Sequence, residues 1–403
     1  MRRWLLPAAF AGALAAAWLV VDPRTPDLAA QVYRVGLFRE MGFAIWDERW
    51  YAGHALPAYS VLYPPLAAAL GMRALGALCV LASSALFAAL VRPVYGEGAR
   101  WGAALFALAA LGDVWSGRMT FALGVSVALA AALAAARGRW RVAGALAAVC
   151  AAASPVAAAL LGLAGLSLAL ARRSPRPVVA LALPGAVVVL ALAALFPEGG
   201  FEPYPLLSFL ATMAAVAAFV VALPARERTL RIGGGVYALA CVGCVAVHSP
   251  VGSNVERYGV LLGAPLLACV LLSARARAGE QVRASPHRAA RRDARGLWLW
   301  LWLWRWHGRG VGALALCGLL VWTVWGPVRE TLAVAGDAAT SASYYEPLER
   351  FLARASVAQG SPLRVEVPLT RSHWEAALLA PSVSLARGWE KQMEERYDGV
   401  LLA

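Results

Sequence analysis

Long apolar segments recur along most of this chain, and the arginines fall between them. Eleven are read, at about 4–21, 67–91, 101–112, 119–136, 142–153, 155–171, 178–195, 207–223, 232–247, 259–273 and 311–326. A helix needs about 20 predominantly apolar residues to span a bilayer. The pattern therefore predicts an all-α, polytopic membrane protein with about 11 transmembrane helices. Composition agrees: 61% of residues are hydrophobic, 15% are charged, and the mean hydropathy is +0.64. A soluble domain carries about 25% charge. Three segments are short. The pair 142–153 and 155–171 meets at Ser154-Pro155, where proline removes a backbone donor. It reads either as two half-length helices or as one kinked element. Segment 101–112 is also short, and residues 113–118 are expected to dip below the membrane surface.

The formal charge of +14 does not point to nucleic acid, because every basic residue except Lys391 is arginine and sits by topology. With Arg2 and Arg3 cytoplasmic, the loops on that side hold 22 arginines. The outer loops before the C-terminal tail hold six: Arg24, Arg34, Arg39, Arg49, Arg118 and Arg257. This is the positive-inside bias. It predicts a cytoplasmic N-terminus and an extracytoplasmic C-terminus, and the abundance of Arg, Ala, Gly, Pro and Trp, whose codons are rich in G and C, points to a bacterial inner membrane. The acids Asp22, Asp27, Glu40, Asp47, Glu48, Asp113, Glu198, Glu202 and Glu256 then all face outward. The first span reads as retained rather than as a cleaved signal peptide. The six cysteines all fall in apolar segments, so Cys241-Val242-Gly243-Cys244 reads as small apolar helix residues rather than a redox pair.

The chain divides into a membrane domain, 1–326, and an outer tail, 327–403, of α+β character. The membrane domain includes an outer loop, 22–62, and a basic cytoplasmic loop, 274–310. Residues 274–296 are expected to be disordered and drawn to anionic headgroups. The Trp-Leu alternation over 297–306 reads as an interfacial anchor or as a codon-repeat expansion. In the tail, residues 363–369 alternate like a strand. Ser372 and Glu375 are spaced as a capping box, and a helix is expected over 385–396. The tail is expected to pack on the loops of the membrane core.

The outer loop concentrates the chemistry. Asp22 falls where the first span should leave the bilayer. Asp27 opens a run with apolar residues at 28, 32, 35, 38 and 41, the spacing of a helix lying along the membrane surface. Asp27 is either the N-cap of that helix or, like Asp22, a candidate general base. Trp46, Asp47, Trp50, Tyr51, His54 and Tyr59 follow, a set of rings and a carboxylate suited to binding a sugar or to an interfacial belt. Asp113 is a candidate for a sugar hydroxyl or a metal. Arg118 and Arg257 are candidate phosphate ligands, since arginine offers a bidentate fork; Arg257 could instead pair with Glu256 or another loop acid. Asn254 lies in a polar turn that could contact a donor.

These features resemble the GT-C superfamily of polytopic glycosyltransferases, and more closely the bacterial membrane proteins with a 6-pyruvoyl-tetrahydropterin-synthase-related domain. The counterparts are Asp27, the region from Trp46 to Trp50, Gly53-His54-Ala55-Leu56-Pro57 and Tyr63-Pro64-Pro65-Leu66. Weaker ones are Gly117-Arg118 and Asn254-Val255-Glu256-Arg257-Tyr258 before Pro265. The likeness is best over residues 20–70. It departs where a histidine commonly follows the loop aspartate and this chain has Ala30-Gln31. The resemblance implies an enzyme that moves a sugar from a polyprenyl-phosphate donor to an envelope acceptor on the outer face. The donor's tail would lie between helices, and Asp22 or Asp27 would act as base. It leaves the cofactor open, a divalent metal included. The competing readings are a transporter or lipid flippase and a non-catalytic envelope scaffold.

Overall fold

The computed structural model describes residues 5–284 and 295–402. The chain begins with α1 (Leu5–Val21), then turns at Asp22 into α2 (Pro26–Met41), whose axis is bent 79° from α1. Proline at the first position of α2 fits, since no helical partner awaits its missing N–H. Two short strands, β1 (Trp46–Asp47) and β2 (His54–Ala55), pair antiparallel with Trp46 opposite Ala55. Tyr63-Pro64-Pro65 opens α3 (Tyr63–Leu70), and Gly71 separates it from α4 (Met72–Tyr95). The expected span at 67–91 is thus broken near its start.

The bundle continues with α5 (Ala99–Trp115), α6 (Met119–Ala136), α7 (Trp140–Ala153), α8 (Pro155–Arg172), α9 (Arg176–Leu181) and α10 (Leu183–Leu195). Then come α11 (Leu206–Ala222), α12 (Arg228–Ala246), α13 (Glu256–Ala284) and α14 (Arg295–Val334). Segments 142–153 and 155–171 are two helices: Ser154 is extended between them, and its Oγ caps α8 by accepting the Ala157 N–H at 3.3 Å. The helix of the tenth segment runs past its expected end at residue 273 to Ala284, and that of the eleventh begins at Arg295. The backbone of 297–306 is part of α14, and residues 285–294 of the basic loop lie outside the described residues.

Six helical stretches among the described residues are long and apolar enough to cross a bilayer, or seven if α1 and α2 count as one bent span. This is a multi-pass membrane protein, but the expected eleven spans are not all of crossing length. Helix α7 has 14 residues, a rise of about 21 Å against a hydrocarbon core of about 30 Å. Helices α10 and α11 are likewise apolar and short. One apolar stretch, Met72–Trp115, is divided at Gly96–Gly98 into α4 and α5, which pack on each other. Small residues let the helices approach closely. A Cβ on Gly102 would stand 2.5 Å from the Pro265 carbonyl oxygen of α13.

Contacts sort the connections to two ends. At one end the Val61 N–H donates to Ala152 O at 2.9 Å, and Glu202 N–H donates to Ser249 O at 3.0 Å. At the other end Ser273 Oγ donates to Tyr95 O at 2.7 Å, and the Tyr95 hydroxyl donates to Glu227 at 3.2 Å.

The tail folds back over the first end. It comprises α15 (Ala342–Gln359), β3 (Arg364–Val365), α16 (Glu375–Leu378), β4 (Ser384–Leu385) and α17 (Lys391–Leu402), with β3 parallel to β4. The strand expected over 363–369 is reduced to two residues. No capping box forms: Trp374 is the N-cap of α16, and the Glu375 carboxylate instead accepts the Thr370 hydroxyl at 2.5 Å. The last helix begins at Lys391 rather than near 385. Helix α2 is held between bundle and tail. Val35 packs with Trp18 and Tyr63 on one side, and Ala29, Ala30, Tyr33 and Leu37 with Trp374, Ala376 and Leu379 on the other. Leu28, Val32 and Val35 of its apolar stripe therefore meet protein, while Met41 at its end stays exposed.

Candidate functional site

Asp27 sits in the first turn of α2, one residue beyond Pro26, and the N-cap is Thr25. The buried Thr25 hydroxyl donates to Trp115 O at 2.9 Å and ties the start of α2 to the end of α5. Gly117, with φ +79°, makes the turn between α5 and α6. A Cβ there would stand 2.3 Å from the Leu28 nitrogen, so only glycine lets this turn rest on α2. The turn delivers Arg118. Its Nε donates to Asp27 Oδ2 at 3.2 Å and its Nη2 to Glu330 Oε1 of α14 at 2.8 Å. The two carboxylates hold the Arg118 guanidinium well above its ordinary range, against the opposing effect of burial.

Asp113 is buried in the last turn of α5, not in a loop, and it feels the charges of Arg118, Arg257, Glu330 and Asp27. Arg257 enters from the first turn of α13, its guanidinium 5.3 Å from the centre of the Phe121 ring. Among the described residues it has no carboxylate within ion-pairing distance, so the expected pair with Glu256 does not form. It interacts at longer range with Arg118, Asp27, Tyr59 and Asp113. Glu202 accepts the Ser253 hydroxyl at 2.9 Å and interacts with Lys391, Arg257 and Asp27; burial raises its carboxyl. Asn254 lies in the 3₁₀ turn that leads into α13, three residues before Arg257. The structure thus brings together Asp27, Asp113, Arg118 and Arg257, with Tyr59 of the aromatic set, around two residues that the motifs did not single out for a role: Glu330 and Glu202. Glu330 was hidden because the last apolar segment ends at residue 326. The helix instead continues through it, with Thr331 Oγ1 donating to Pro327 O at 2.7 Å.

Asp22 lies apart from this group. It is paired with Arg73 of α4, and a third of its side chain is exposed. No group of three or more His, Cys, Asp or Glu side chains among the described residues is arranged to hold a metal ion.

The aromatic set has a different place. Trp46 is half exposed, whereas Trp50 and His54 have no accessible surface and Tyr51 has little. Trp50 stacks on Tyr33 at 4.3 Å and on His54 at 5.4 Å, and its Nε1 donates to Ala376 O of the tail at 2.9 Å. Asp47 is buried; it accepts the Tyr33 hydroxyl at 2.6 Å and stands 3.7 Å from His54 Nδ1. Burial pushes the His54 imidazole down to about 3, so it is neutral, and raises the Asp47 carboxyl. With the tail docked, no face of Trp50 or His54 is open to a sugar. These residues, read from the sequence as a binding platform, join loop to tail. A buried Arg34–Glu390 ion pair and the Tyr51 hydroxyl, donating to Glu394 at 3.1 Å, reinforce the joint.

Glu394 gives the joint a pH dependence. Burial, helped by Asp398, pushes its carboxyl from 4.5 up to about 7. Below 4.5 both docked and released tails carry the proton, and docking keeps its full strength. As pH rises through about 7 the released tail ionises first, and docking weakens. His54 and His373 oppose this trend, because burial lowers both and their contribution is lost as pH falls. The comparison with Glu394→Gln separates the effects. The wild-type tail should be cut by protease increasingly faster than the variant's between about pH 5 and pH 8. A constant ratio of cleavage rates would contradict this.

Between α4, α6, α8, α9, α11, α12, α13 and α14 lies a cavity of about 300 Å³, lined mainly by apolar side chains, with Arg172 of α8 also in its wall. Tyr258, next after Arg257, is in its wall, together with Tyr237, Leu262, Phe219 and Trp322. No family model, no curated protein and no solved structure matches this chain.

Proposed function

We propose that the protein is a GT-C-like membrane glycosyltransferase. It moves a sugar from a polyprenyl-phosphate donor to an acceptor at the outer face of a bacterial inner membrane, the N-terminus being cytoplasmic and the tail outside. The observation that carries this reading is the convergence of Asp27, Arg118 and Arg257 where α13 leads into the apolar cavity. The cavity suits a prenyl chain, and Arg257, unpaired by any described carboxylate, suits the phosphate at its head. In the reaction the acceptor oxygen forms a bond to the anomeric carbon of the sugar. The bond from that carbon to the phosphate oxygen breaks, and the electron pair leaves with the lipid phosphate beside Arg257. Asp27 takes the acceptor proton. Asp22, which lies apart from this group beside Arg73 of α4, is not assigned that role.

The test is transfer from a radiolabelled polyprenyl-phosphate-linked sugar in reconstituted membranes. Asp27→Asn should lose about 10²–10⁴-fold in turnover while still binding the donor, and Asp22→Asn should keep most of it. Full transfer by Asp27→Asn would sink the assignment. The same cavity favours a lipid flippase as the second reading; a flippase would translocate a labelled polyprenyl phosphate unchanged, with no product that carries the sugar.

A further inference from the structure

His373 belongs to the tail yet lies beside the start of α2. Trp374, the next residue, donates from Nε1 to the carbonyl oxygen of Arg24 at 3.2 Å, three residues before Asp27. The Arg24 guanidinium covers the Trp374 ring at 5.4 Å and its Nη1 donates to Thr340 O at 2.6 Å, so this clamp fixes both sides. Behind it α16 packs along α2. His373 has φ +55°, a left-handed conformation that is uncommon outside glycine, Asn and Asp. Strain of this kind persists only where surrounding contacts impose it. Here Ser372, fully buried, and the Trp374 clamp impose it.

The ring that results is mostly enclosed and chemically unspent. Its side chain is 15% exposed, and Nδ1 stands 3.8 Å from Glu375 Oε1. Among the described residues neither ring nitrogen makes a hydrogen bond. Trp389 meets the ring edge-on with centroids 6.4 Å apart. The charges it feels are Asp27 of α2 and Lys391 of α17; Lys391 in turn acts on Glu202, which also faces Asp27 and Arg257. Burial holds the imidazole down to about 4, so near neutral pH it offers one donor and one acceptor.

We propose that the tail completes the Asp27 site and that His373 binds the acceptor, hydrogen-bonding a sugar hydroxyl on the tail side of Asp27 while the arginines hold the donor phosphate on the membrane side. The proposal rests on the glycosyltransferase reading for its reaction, but not for the position of the ring. It assigns the two substrates to two parts of the chain: donor to the bundle, acceptor to the tail.

Two measurements on the full-length protein in nanodiscs test it. The first is carbon-13 histidine NMR, with His373→Gln identifying the His373 signal among five histidines. Asp27→Asn should lower the titration midpoint of His373, because Asp27 favours the charged ring. A panel of methyl glycosides should include one that shifts this signal. An unmoved midpoint, or no shift with any glycoside, overturns the proposal whether or not transfer is observed. The second is transfer to the glycoside that shifts the signal. His373→Ala should raise its KM about tenfold and leave the donor KM unchanged, and His373→Gln should recover most of the loss, since one neutral hydrogen bond is at stake. If His373→Ala lowers kcat and thermal stability together with no change in acceptor KM, the residue is structural and the proposal fails. Coupling and glycoside binding without any transfer by the wild type would overturn the transferase reading and leave the binding site standing.

Discussion

Arg118→Leu is expected to destabilise the protein by about 2–4 kcal/mol, somewhat below the cost of removing one partner from a fully buried charge pair. Arg118 is the one described cation directly bonded to both Asp27 and Glu330, which come from helices far apart in sequence. Only 22% of its side chain is accessible, so water replaces it only in part. Its loss leaves two carboxylates, and Asp113 beside them, without that charge. Arg118→Lys should fall between wild type and leucine, because a point charge cannot hold two carboxylates in a fixed fork. The physical cause can be isolated. If uncompensated acids are responsible, Arg118→Leu combined with Asp27→Asn and Glu330→Gln should be more stable than Arg118→Leu alone. Apparent Tm in nanodiscs reads this directly. A triple variant less stable than the single would show that Arg118 acts through packing and not through charge.

Much of the fold was legible because membrane helices carry their signal locally. Each apolar segment reads by itself, and Ser154-Pro155 marked a true helix junction. Boundaries were less legible where tertiary contacts override local pattern. Asp113 looked like a loop residue because charge usually ends a span, yet α5 continues two residues further. The last apolar run ends at 326, yet α14 passes through Pro327 to reach Glu330. For the site, Asp27, Arg118 and Arg257 were legible as charges near apolar ends, but nothing in a linear sequence pairs residues 91 positions apart. The aromatic cluster shows the limit most plainly. A tryptophan that binds a sugar and one that seats a domain have the same local sequence. What separates them here is the carbonyl of Ala376, which lies 326 residues from Trp50. His373 escaped for a related reason: its Ser-x-x-Glu context suggested a cap, while its backbone conformation and its nearness to Asp27 exist only in the folded tail.

Trp50→Ala should release the tail from the membrane domain. Truncating a fully buried tryptophan costs about 3–5 kcal/mol. At this position the loss falls on one interface. The indole fills the space between Tyr33, His54 and the tail, with Gly388 so close that a Cβ there would stand 2.9 Å from its Cγ. Its Nε1 bond leaves Ala376 O unpaired when removed. Trp50→Phe keeps most of the apolar contact and loses the bond, so it should weaken docking by about 1–3 kcal/mol without releasing the tail. Limited proteolysis in nanodiscs reads the difference: rapid removal of the tail in Trp50→Ala, slow removal in Trp50→Phe and in wild type. The Asp27–Arg118–Glu330 group lies wholly in the bundle, with Glu330 in α14 before the tail helices begin. Tail release should therefore leave donor binding nearly intact and raise the acceptor KM by at least the roughly tenfold expected of His373→Ala, because His373 leaves with the tail. If Trp50→Ala frees the tail and the acceptor KM is unchanged, the acceptor is bound by the membrane domain alone, and the division of donor and acceptor between bundle and tail is wrong.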